Sequence, residues 1–159
     1  MLWIFSIFSC FTSTPNYALI RQTYQNAISN HNEVSKLTSL TAPYRNSDPI
    51  ARAFFASAQA FEAKNATWVS TKVKYAKNAH SNLNNSVILA PNNVEIRFLR
   101  FSFECNTPTI LGMRSHLADD KAFLLKNTKS TEPLWTLMKS FYQKCSEFTQ
   151  AEKENLLKR

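Results

Sequence analysis

Arg97, Arg100 and Glu104 fall along one side of the segment VEIRFLRFSFE (94–104), which is otherwise apolar on nearly every side. A guanidinium fork holds a carboxylate or a phosphate through two parallel hydrogen bonds, so two chemistries follow from this placement. One is a recessed anion or peptide-carboxylate site. The other is a set of internal ion pairs among Arg97, Arg100, Glu95, Glu104, Asp119 and Asp120, tying this helix to the next. A charge held against a core helix must be paired or is very costly, which favours the structural pairing. Asp119-Asp120 has the composition for acid/base work, but the first turn of a helix explains two carboxylates there without chemistry. His80 lies in an apolar stripe and reads as a satisfied core histidine rather than a general base. Grouped with Arg97 and Arg100, it defines the alternative reading, a small-ligand or hydrolytic site. His31 and His116 sit near helix starts and are expected to be exposed. No histidine or cysteine spacing suggests a metal, and no cofactor is expected.

The chain as a whole narrows the choices further. Its 159 residues suit one domain. Gly112 is its only glycine, where average usage would put about eleven. No G-x-G-x-x-G turn, phosphate loop or G-x-S-x-G elbow can be written with it. Tight hairpins also lean on glycine, so helices with polar connections are favoured. Nineteen Lys and Arg against eleven Asp and Glu give a net charge of +8. The cations are dispersed; Lys72, Lys74 and Lys77 form the densest group, with Tyr75 among them. Most of the twelve Phe fall on core faces rather than among basic residues. Nucleic acid is therefore disfavoured as a partner.

Start signals and apolar spacing predict helices along most of the chain. Thr14-Pro15 opens one, a second runs to about Thr41, and Ser47-Asp48-Pro49 opens a third through Lys64. Trp68 to Leu89 is the longest, with Val69, Val73, Ala76, His80, Leu83 and Val87 on one face. Pro91-Asn92-Asn93 leads into 94–104, whose all-round apolarity belongs at the centre of a core. Further helices are expected over Ser115–Asn127, from Pro133 to about Ser146, and after the capping box Thr149–Glu152. Pro49, Pro91 and Pro133 recur at a spacing of 42 residues, the size of a two-helix repeat. The fold class expected is all-α, about seven helices stacked as antiparallel hairpins.

The chain divides into 1–13 and a single helical domain, 14–159. MLWIFSIFSCF is too short to span a bilayer but matches the apolar core of an export signal. Ile7-Phe8-Ser9-Cys10 is similar to a lipoprotein cleavage box, which makes Cys10 a lipidation candidate. The expected location is exported, periplasmic or envelope-associated. Cys105 and Cys145, at the ends of two predicted helices, are expected to be buried free thiols.

Ala79, Leu83 and Ala90-Pro91-Asn92-Asn93-Val94-Glu95 resemble the second half of a tetratricopeptide-type repeat. More broadly, 48–127 resembles a family of small, exported, uncharacterised helical proteins of Gram-negative bacteria. The likeness rests on Pro91 to Phe101, Pro108-Thr109-Ile110-Leu111-Gly112 and Asp119 to Leu125. It implies a tetratricopeptide-like right-handed array and no particular activity. The function expected is a non-enzymatic interaction or scaffold protein that binds a protein or peptide on a helical groove. Lys72, Lys74, Tyr75 and Lys77 are the expected contact residues. Membrane contact is expected only through the N-terminal segment.

Overall fold

The computed structural model describes residues 14–159, so the expectations for 1–13, Cys10 included, lie outside the described residues. Eight α-helices, rather than about seven, and one short 3-10 turn make up the described residues, which contain no strand: α1 (Tyr17–Ala27), α2 (Asn32–Thr41), α3 (Pro49–Asn65), α4 (Val69–Leu89), α5 (Val94–Cys105), α6 (Leu117–Asn127), α7 (Trp135–Lys144) and α8 (Gln150–Leu157). None is long and apolar enough to cross a membrane.

Several starts follow directly from side-chain chemistry. Asp48 caps α3 by accepting from the Ala51 N–H at 2.7 Å, with Pro49 at the first helical position. Asn93 caps α5 through the Ile96 N–H at 2.9 Å. Thr149 and Glu152 complete a reciprocal capping box for α8. At α1 the cap is Asn16, which accepts from Leu19, and not Thr14. Asn16 is the residue whose carbonyl group can reach an open N–H two or three positions on; Thr14 stands too far upstream. Gly112 sits at φ 65°, the left-handed conformation that turns the chain out of the 3-10 segment Thr109–Leu111.

Helix α5 is the centre. Seven of its residues are buried, Glu95, Ile96, Phe98, Leu99, Arg100, Phe101 and Glu104. It packs against α3, α4 and α6. Phe98 and Phe101 meet Phe141 of α7 edge-on, with ring centroids 5.5 and 6.1 Å apart. One apolar cluster runs from Ile20 through Leu37, Phe54, Leu83 and Leu124 to Leu156. Neighbours in sequence pack on one another from α1 to α6, and α1 also meets α3 as α3 meets α5. The stripe on α4 is buried only from Ala76 onward, and Val69, in the first turn, is 75% exposed.

Candidate functional site

Four polar groups of α5 face inward, and the fold disposes of each differently. Glu95, 4% exposed, accepts a two-pronged contact from Arg21 of α1, at 2.7 and 2.8 Å. Arg100 places Nε 2.7 Å from Asp120 Oδ2 and Nη2 2.8 Å from Oδ1. Arg97 adds Nη1 at 2.6 Å from the same Oδ1 and lays its guanidinium 4.9 Å from the Phe123 ring centroid. Asp120 thus stands in the first turn of α6, fully buried, with two permanent cations on it. It occupies the fork of Arg100, which an exogenous anion would otherwise need. Asp119, grouped with Asp120 from sequence, is exposed and takes part in no ion pair among the described residues.

Glu104 takes a different partner from the one its spacing suggests. Arg100, four residues earlier on the same helix, turns to α6, while Glu104 meets two histidines. The His116 N–H donates to Oε2 at 2.9 Å, and His116 Nδ1 lies 2.8 Å from Oε1. His80 of α4 brings Nε2 to 3.6 Å from that same Oε1. The carboxylate is fully buried, whereas the side chains of His80 and His116 keep 22% and 31% of their surface. His116 is therefore half-buried and engaged, not exposed as expected. His80 stacks on Phe103 and receives Asn84 Nδ2 at 3.3 Å. Asn84 in turn accepts from Arg100 Nη1 at 3.2 Å, linking the two networks. Burial, which disfavours the charged ring, lowers the His80 pKa below its ordinary 6.5; His116 and Arg100 push the same way and Glu104 opposes them. One ligand atom each from His80, Glu104 and His116 lies within 4.8 Å of the others, a three-residue set able to hold a metal ion. Spacing along the chain conceals it, because the members come from three separate elements.

No family model, curated protein or solved structure matches the chain. The geometry of the chain itself must carry the functional reading.

The second feature of note is a groove of about 730 Å³ between α3 and α4 on one side and α7 on the other, floored by α5. Phe61, Val73, Leu99, Phe103, Leu137 and Phe141 give it an apolar lining. Lys64, Lys72 and Lys144, all exposed, stand at its edge, and no carboxylate lines it. Of the four residues singled out on α4, only Lys72 lines this groove. Lys74 and Lys77 are exposed and Tyr75 is half-buried, all outside the lining. Lys64 and Lys144 were not singled out from sequence. Each is the basic residue near the end of its helix, and nothing local marks it as facing the same hollow. Cys105 and Cys145 are free, with Sγ atoms 3.7 Å apart, and are half-buried.

Proposed function

We propose that the protein is a non-enzymatic binding module, an exported scaffold of helical hairpins arranged in a tetratricopeptide-like array. Its groove takes an acidic, apolar-tipped segment of a partner protein. The observation that carries this reading is the composition of the groove: an aromatic and aliphatic floor, three lysines at the edge and no acidic residue in the lining. Apolar side chains of the incoming segment would leave water on that floor. Its carboxylates would meet Lys64, Lys72 and Lys144, which set orientation and speed encounter more than they add affinity. The hairpin-array reading draws support from contacts between alternate helices, α1 with α3 and α3 with α5, as stacked repeats make. The anion-site alternative around Arg97, Arg100 and His80 is less well supported, since Asp120 already fills the Arg100 fork.

The test is titration with a fluorescent helical peptide carrying glutamates on one face and Leu and Phe on the other. Saturable binding is expected, weakened by salt and by at least about tenfold, roughly 1.4 kcal/mol, when Lys64, Lys72 and Lys144 are all changed to Glu. A peptide with lysines in place of the glutamates is expected to bind poorly. Equal binding of both peptides, or none of either, overturns the reading.

A further inference from the structure

We propose that His80, Glu104 and His116 form a binding site for a divalent transition metal, with zinc the best-matched ion. Asn84 Oδ1 accepts from Arg100, so its amide nitrogen must be the group facing His80 Nε2. An amide nitrogen only donates, so Nε2 carries a lone pair. That one lone pair accepts from Asn84, and Glu104 Oε1, another acceptor, stands 3.6 Å from the same nitrogen with its carboxylate wholly removed from solvent. A cation that takes the lone pair over from the Asn84 N–H would sit between two electron-rich atoms and satisfy both.

The spacing fits a metal. Ligand atoms about 2.0–2.1 Å from a tetrahedral zinc lie about 3.3 Å from one another. The two separations to Oε1, 2.8 Å from His116 Nδ1 and 3.6 Å from His80 Nε2, bracket that value, and the whole set spans no more than 4.8 Å. Two imidazole nitrogens and one carboxylate suit zinc and its neighbours, and are a poor match to calcium or magnesium, which take oxygen ligands. His116 becomes a ligand when its ring carries the proton on Nε2, leaving Nδ1 free.

The surroundings already provide what such a site requires. Arg100 holds Asn84, whose N–H keeps His80 Nε2 the unprotonated ring nitrogen in the metal-free chain, and the His116 N–H fixes the second oxygen of Glu104. Asp120 offsets one of the two nearby guanidinium charges, which weakens their repulsion of the ion. Since both rings remain part-exposed, a fourth position stays open to water. None of the three ligands lines the groove, and the site does not depend on the peptide reading.

Cobalt(II) titration of the chelator-treated full chain, followed in the visible, tests this. One equivalent is expected to bind with the intense bands of a four-coordinate nitrogen and oxygen site, and zinc is expected to displace it. His80→Gln and His116→Gln should each weaken binding at least about tenfold, with circular dichroism of the metal-free variants unchanged. Should His116→Gln fail to fold, His80→Gln decides alone. No spectral change at cobalt concentrations on the order of millimolar, far above any specific site, would show that only a proton fills the gap and would overturn the proposal. So would thiolate charge-transfer bands, which would put the ion on cysteine, or affinity unaltered by His80→Gln.

Discussion

Asp120, held by α5 from α6, and Glu104, on α5 itself, are both carboxylates with no solvent-exposed surface, and they could hardly be treated more differently. Asp120 receives three short contacts from two arginines, cations that never lose their charge. Glu104 accepts a backbone N–H and lies against two imidazoles, with no arginine or lysine on it among the described residues. The first arrangement is held by permanent charge; the second is not, and it keeps an opening to solvent. Burial alone therefore does not separate a structural ion pair from a responsive site, whereas the permanence of the partners does.

The contrast can be broken most severely at its fixed end. Asp120→Ala leaves Arg100 buried with no counter-charge, and Arg97 part-buried beside it, and should cost about 3–5 kcal/mol. Urea unfolding that changes by less than about 1 kcal/mol would class the pair with ordinary surface ion pairs. A second intervention acts one residue beyond Glu104. Joining Cys105 to Cys145 with diamide closes a loop of 40 residues and is expected to stabilise the chain by up to about 4 kcal/mol. The reaction should be slow at neutral pH and faster in alkali, because burial, then the neighbouring Cys145, pushes the Cys105 thiol up. Intact mass and the melting transition report both points.

Glu104→Gln should be milder than loss of Asp120, about 1–3 kcal/mol, since the amide oxygen can still accept from the His116 N–H. A cost equal to that of Asp120→Ala would erase the distinction drawn here. The smallest effect is on pH dependence. Folding lowers the His80 pKa, so as pH falls through 6.5 the unfolded chain takes up that proton before the folded one does. The contribution of His80 to stability is therefore full above 6.5 and is lost as pH drops below it. His80→Gln should flatten that part of the stability profile, while Asp120→Ala should lower the whole profile.

Much of the scaffold could be read from residues alone, because caps and prolines act locally. Asp48-Pro49, Asn93 and the Thr149–Glu152 box each mark a helix start through contacts within three positions. The central place of α5 was likewise visible, since Phe98, Leu99 and Phe101 leave no polar side wide enough to face water. Partner choice was not visible. Spacing along a helix favours Arg100 with Glu104, but the turn at Gly112 brings the His116 N–H onto Glu104, and α6 presents Asp120 to both arginines. The histidine pair was missed for the same reason. His80 and His116 lie 24 and 12 residues from Glu104, and only the packing of α4 and α6 against α5 closes that separation.

The fork between Arg21 and Glu95 spans 74 residues. During synthesis, α1 leaves the ribosome long before its acidic mate has been translated. A nascent chain that stops short of Glu95 holds a cation on the inner side of α1 with nothing to dock against, whatever local coil-to-helix order it has gained. Until then α1 rests on α2 and α3 alone, and a chain truncated before Glu95 should leave the face of α3 that α5 covers in the finished domain open to proteases.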